Sequence, residues 1–197
     1  MRIIIIGATG TIGKAVVHAL SGYHEIVAVS RQSTAITVDM ADPDSIKAMY
    51  QKAGIVDAVI SAAGLAKFNF LSKLSDSDFE LSLSNKLMGQ VNLVRFGLDY
   101  VRDYGCFVLT SGILARSPMP GSAAISLVNA GIEGFARAAA IEVPRAIRVN
   151  VVSPPWVTET LKALGMDTAC GSPAAAVAKA YIRVIESNEN GVVIEPA

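Results

Sequence analysis

Gly7, Gly10 and Gly13 fall within the heptapeptide Gly7-Ala8-Thr9-Gly10-Thr11-Ile12-Gly13, directly behind the apolar run 3–6. Glycine lets such a turn adopt positive φ and lets backbone amides approach an anion without Cβ interference. A helix opening at Thr11 adds free N–H groups and partial positive charge, which together suit a diphosphate. Gly7, Thr9, Gly10, Thr11, Ile12 and Gly13 are therefore the candidate contacts of a dinucleotide turn.

The end of the second strand decides which dinucleotide. A carboxylate there would accept from a ribose 2′-hydroxyl and repel a 2′-phosphate. The residues are Val29-Ser30-Arg31-Gln32-Ser33, with no carboxylate. A guanidinium beside hydroxyls suits phosphate, so Ser30 and Arg31 favour NADP over NAD. The alternative for Arg31 is a solvated surface cation.

The elements that must position these groups follow from periodicity. Short β-branched runs at 2–6, 25–29, 35–38, 57–60, 106–109, 147–151 and 192–194 alternate with segments of helical spacing. The first helix carries Ile12, Ala15, Val16, Ala19 and Leu20 on one stripe, and Asp42-Pro43 opens a second. One long helix is predicted over about 76–101, with Leu83, Leu87, Val91, Val94, Leu98 and Val101 inward and Lys86, Gln90, Arg95 and Arg102 on its surface. Further helices are predicted over about 122–141 and from Pro173 onward. Strand alternating with helix implies right-handed crossovers. The fold class expected is α/β, a Rossmann-type doubly wound parallel sheet of seven strands in three layers.

Composition agrees with one such domain over 1–197. Apolar residues make up 52% and charged residues 17%, as suits a sheet covered on both faces. Lys plus Arg and Asp plus Glu both total 17, so no net field draws in nucleic acid or an acidic membrane. Cys106 and Cys170 have no metal-type spacing and are expected to pack as small hydrophobes. No metal ligands group at usable spacing, and the run at 3–6 is too short for a signal or a membrane span. A cytoplasmic protein is expected.

Taken in order, the landmarks resemble the short-chain dehydrogenase/reductase family along nearly the whole chain. Gly7 to Gly13 resembles its phosphate turn, with the middle glycine spaced as in atypical and extended members. Val38-Asp39 resembles the adenine-holding residues, and Ser61-Ala62-Ala63-Gly64 resembles the family's Asn-Asn-Ala-Gly segment with both Asn replaced. Asn85 matches the Asn of its fourth helix, and Ser111, in Leu109-Thr110-Ser111-Gly112, matches its catalytic Ser. The run 131–142 is similar to its fifth helix. Arg148 to Pro154 is similar to its sixth strand and Pro-Gly turn, with Pro155 where Gly is usual. The resemblance implies cofactor contacts at Asp39, Ala62, Ala63, Gly64, Asn129, Pro154, Val157 and Thr158, catalytic roles for Ser111 and Asn85, and a homodimer or homotetramer. The segment 156–172 resembles the substrate lid.

No Tyr-x-x-x-Lys occurs in the chain, and the positions that would match it are Ile125 and Asn129. In the family that tyrosine supplies the proton to the reduced carbonyl and the lysine lowers its pKa. A positioned acid contributes about 10²–10⁴-fold, whereas holding the reactants together supplies about 7–11 kcal/mol, so slow turnover is compatible with its loss. Lys67 is one alternative donor, otherwise a surface lysine. Lys86 is one residue from Asn85 and on a regular helix points roughly 100° away. Two readings stay open: an NADP(H)-dependent oxidoreductase on a small carbonyl or alcohol with a non-standard proton donor, or an inactive NADP(H)-binding sensor or structural subunit.

Overall fold

Four consecutive isoleucines, Ile3 to Ile6, can all be buried in one strand only if both faces of its sheet are covered. In the computed structural model, which describes residues 1–196, they complete β1 (Arg2–Ile6). Ile4 and Ile6 enter one core and Ile3 and Ile5 another. The other strands are β2 (Glu25–Ser30), β3 (Ile36–Thr37), β4 (Val56–Ser61), β5 (Val101–Thr110), β6 (Arg148–Val152) and β7 (Val193–Ile194). They form one seven-stranded parallel sheet in the order β3-β2-β1-β4-β5-β6-β7. The doubly wound fold expected from alternation is thus the fold observed. The single-domain expectation over 1–197 includes Ala197, which lies outside the described residues.

The helices are α1 (Thr11–Leu20), α2 (Pro43–Ala53), α3 (Asp76–Ser82), α4 (Gly89–Gly97), α5 (Ala123–Glu142), α6 (Thr158–Ala163) and α7 (Ala174–Glu186). Val16 and Leu20 of α1 pack with Val177, Tyr181 and Val184 of α7 over one face of the sheet. Ile46 and Tyr50 of α2, Leu93 of α4 and Ile132 of α5 cover the other. Asp42 caps α2 by accepting from the Asp44 N–H, with Pro43 at the first position where its missing donor costs nothing.

The helix predicted over 76–101 is interrupted. α3 runs into a π-helical turn, Leu83–Met88, before α4 and a short 3₁₀ turn, and Val101 already belongs to β5. The Gly89 N–H reaches back to the Ser84 carbonyl, a step of five residues. The wider turn rotates everything beyond it relative to a 3.6-residue repeat. The buried residues of this stretch are Ser82, Asn85, Gly89, Gln90, Asn92, Leu93, Val94 and Gly97: Val94 lies inward as expected, whereas Leu83 is exposed and Gln90, expected on the surface, is fully buried. Among the cysteines, Cys106 is buried, with desolvation pushing its thiol up to about 11, but Cys170 is exposed and does not pack as expected.

Candidate active site

From β1 the chain winds outward to β2 and β3, then returns past β1 to β4. Crevices form where strand order reverses in this way, outside the C-terminal ends of the strands. Gly7 leaves β1 at φ +83°, and a Cβ on it would lie 2.7 Å from the Ala62 carbonyl oxygen. Gly13 is tighter still, because a Cβ there would fall 1.9 Å from the Gly7 oxygen. Only glycine lets α1 start this close to the sheet. Its N-cap, Gly10, brings no side chain to cap the first turn, which leaves the helix amides for a ligand.

Two cavities flank the end of β4 and share Ala62, Ala63 and Gly64 as a common wall. One, of about 270 Å³, gathers Gly7, Thr9, Gly10, Ser30, Arg31, Asp39 and Asn85. Arg31 is 69% exposed along its side chain and lies 3.6 Å from the Asp39 carboxylate, so the cation stands over the cavity beside its only partner among the described residues. The Ser30 hydroxyl turns back to the Gln32 carbonyl and lies 3.1 Å from the Thr34 hydroxyl, closing the β2 turn. Asn85 accepts from the Leu65 N–H at 2.8 Å and thereby ties down the loop after β4.

The other cavity, of about 300 Å³, gathers Ile12, Lys86, Ser111, Ile125, Asn129, Pro154, Trp156 and Val157. Ser111 and Asn85, paired by the sequence reading, therefore open onto different cavities. Thr11, Gly13 and Thr158 line neither. Asn129 is 1% exposed; its amide nitrogen donates to the Gly112 carbonyl at 3.4 Å, and its carbonyl oxygen has no partner among the described residues. An unpartnered buried acceptor costs about 1–3 kcal/mol, and a hydroxyl placed in the cavity would satisfy it. The Ser111 hydroxyl donates to the buried Glu133 carboxylate at 2.9 Å, and Arg116 stands 3.8 Å from the same carboxylate oxygen.

Lys86 is the residue the helical-wheel argument set aside. Adjacent on the π-helical turn, Asn85 and Lys86 straddle the shared wall, Asn85 lining one cavity and Lys86 the other. Its stem crosses Gly64, where a Cβ would meet Lys86 Cγ at 2.8 Å. Its ammonium donates to the Ser111 carbonyl at 3.4 Å, and burial pushes its pKa down to about 8. Glu133 was missed as well. Its signal was present: a carboxylate four residues after Asn129 and three before Ala136, on the stripe that faces the sheet. Lys67 pairs with Asp78 at 3.6 Å and lines neither cavity.

A parallel sheet with this winding, a glycine turn at the switch point and a cleft above it define a Rossmann-type α/β protein. The family model described as enoyl-(acyl carrier protein) reductase matches residues 13–189. The chain belongs to the short-chain dehydrogenase/reductase family. A hydroxynaphthalene reductase of Aspergillus fumigatus is 30% identical over 149 residues, 71% of this chain and 55% of that relative. A 3-oxoacyl-(acyl-carrier-protein) reductase of Staphylococcus aureus is 26% identical over 144 residues, 70% of this chain and 58% of its own length. The matched segment thus spans little more than half of these curated relatives. Among solved structures, a protein from Listeria innocua is 39% identical with a TM-score of 0.96 over 100% of both chains. A small-chain dehydrogenase in complex with NADPH is 26% identical, with a TM-score of 0.88 over 99% of this chain and 95% of that one.

Proposed function

We propose that this chain is an NADP(H)-dependent oxidoreductase that interconverts a small carbonyl compound and its alcohol, with a proton donor other than tyrosine. The observation that carries this is the two-part cleft. One half offers a glycine cradle and a guanidinium, and the other offers a buried amide oxygen that lacks a donor. The residues fit the cofactor. The amides of the Gly7–Gly13 turn would hold its diphosphate, Arg31 its 2′-phosphate, and the Asn129 oxygen a ribose hydroxyl. Bound there, the reduced nicotinamide supplies a hydride to the carbonyl carbon.

The protein's own contribution is placement and proton supply. Asn85 fixes the common wall through the Leu65 N–H, and Trp156 and Pro155 close the substrate side with apolar surface. Ile125 presents only hydrocarbon to the cavity, so it neither gives nor takes a proton. Exposed Leu83 and Met88 near the head of α4 and Leu127 on α5 suit pairing with a second copy through these helices, as a homodimer or homotetramer.

Titration calorimetry with NADPH and NADH, followed by a panel of small aldehydes and ketones, tests the reading. Stoichiometric NADPH binding and carbonyl-dependent NADPH consumption are expected. Binding of neither nucleotide would overturn it. The commitment of the Ser111 hydroxyl to Glu133, together with Ile125, favours a second reading as an NADP(H) sensor. Tight binding without turnover of any carbonyl would establish that one.

A further inference from the structure

Lys86 is a cation in a cavity wall with no counter-charge. Its one hydrogen bond is the long contact to the Ser111 carbonyl, and no carboxylate pairs with it among the described residues. The elements packed against the 83–88 turn do carry acids, but these are engaged or exposed. On α3, Asp78 is held by Ser75 and Lys67, and Asp76 and Glu80 face solvent. On α5, Glu133 is held by Ser111 and Arg116. Lys86 is half-buried, and withdrawing even part of an unpaired charge from water is costly, so a site that keeps one generally uses it.

The other polar groups of this cavity narrow the use. The Ser111 hydrogen is given to Glu133, and Ile125 has none to give. Thr110 is held by the Ser61 carbonyl and the Tyr181 hydroxyl, and Asn129 donates to the Gly112 carbonyl. The Thr160 hydroxyl and Trp156 indole are uncharged donors too weakly acidic to release a proton. An oxygen reduced in this cavity needs a donor that becomes stronger as negative charge develops on it. Lys86 carries three ammonium hydrogens and directs only one contact at protein.

Resting on the oxidoreductase reading above, we propose that Lys86 is a catalytic residue: its ammonium meets the substrate carbonyl oxygen and delivers the proton that completes reduction. The carbonyl π pair moves onto oxygen as the carbon accepts the hydride from the reduced nicotinamide. One Lys86 N–H bond breaks and one O–H bond forms, leaving an alcohol and a neutral amine. The amine regains its proton from water, and in alcohol oxidation it serves as the base. The depressed pKa, about 8 against an ordinary 10.5, brings this acid toward the neutral range where general acids work best.

The test uses Lys86→Met, which removes the charge at similar length, and Lys86→Arg, which keeps a charge that does not leave. Both are expected to bind NADPH and to lose about 10²–10⁴-fold in carbonyl reduction, the range of a positioned acid. Independently of turnover, NMR of the cofactor-free protein with labelled lysine side chains should show one resonance titrating near pH 8 that vanishes in Lys86→Met. Three results would each overturn the proposal while leaving the oxidoreductase reading intact. They are turnover retained in Lys86→Met, turnover restored by Lys86→Arg, which would mean a fixed charge suffices, and no lysine resonance titrating below its ordinary range. A wild-type protein that binds no NADPH or reduces no carbonyl would remove both.

Discussion

The Ser111 hydroxyl lies 2.9 Å from Glu133 Oε1, and both residues are buried. A carboxylate only accepts, so the serine hydrogen points at Glu133 and what Ser111 can offer a ligand is lone pairs. Arg116, reaching Ser153 at 3.3 Å and Glu195 at 3.0 Å, anchors the far side of this cluster near the end of β6. The serine at the head of the cleft is thus held by α5, and its hydrogen is not free for a ligand in the cavity.

Ser111→Ala should therefore cost stability more clearly than catalysis. It strips a buried carboxylate of its closest donor, a loss of about 1–3 kcal/mol. Turnover should fall by less than about tenfold, well short of the 10²–10⁴-fold range of a lost proton donor. Adding Glu133→Leu should recover part of the stability, because the stranded charge goes with it. Urea unfolding of the two singles and the double reads this directly. Strict additivity would show that the pair is not coupled.

Arg31→Ala should turn the cofactor preference. In the proposed binding mode the Arg31 guanidinium would meet the 2′-phosphate, and a hydrogen bond to a charged group contributes about 1.5–3 kcal/mol, or roughly 10–150-fold in affinity. NADPH binding should weaken by that factor. NADH binding should hold or improve, since Asp39 is freed from its 3.6 Å partner to accept from a 2′-hydroxyl. Calorimetric titration with both nucleotides checks the ratio.

Much of this was legible in the residues. Ile3 to Ile6 announced a strand buried on both faces, and all seven β-branched runs became strands of one sheet. The glycines at 7, 10 and 13 marked a turn whose crowding the structure makes explicit. The π-helical turn was not legible, because a 3.6-residue count has no sign of an inserted residue, and Gln90, just beyond it, is buried rather than exposed. The same count turned Lys86 away from the site. The cleft wraps both sides of the shared Ala62–Gly64 wall, so a residue about 100° from Asn85 meets its other half. Glu133 was obscured for a different reason. Its partner Ser111 lies 22 positions earlier and meets it only across the sheet and helix.

Gln90→Leu should destabilise the fold by about 2–6 kcal/mol. The Gln90 carboxamide accepts from the Thr110 N–H at 2.7 Å and donates to the Thr110 carbonyl at 2.9 Å, both in the interior, and to the partly buried Lys86 carbonyl at 3.2 Å. Leucine leaves the two buried Thr110 groups stranded at about 1–3 kcal/mol each. Because the same amide ties the last residue of β5 to Lys86, faster hydrogen exchange should appear at Thr110. A denaturation midpoint equal to wild type would refute this.

Lys86 also ties stability to pH, with a sign opposite to that of a salt-bridged lysine. Its folded pKa, about 8, lies below the ordinary 10.5 because burial disfavours the charged form. Between those values the unfolded chain holds the proton and the folded chain does not, so unfolding takes up a proton and stability rises with pH. The penalty of this half-buried charge is present in full below pH 8 and is relieved progressively above it. Lys86→Met has no such penalty at any pH. Unfolding free energies of wild type and variant at pH 7 and pH 9.5 should show the wild type gaining on Lys86→Met at the higher pH. Taking the difference between the two proteins cancels Tyr50 and Tyr181, whose buried hydroxyls are pushed up and act alike in both. A difference that stays constant over that interval would mean the ammonium is solvated in the folded protein.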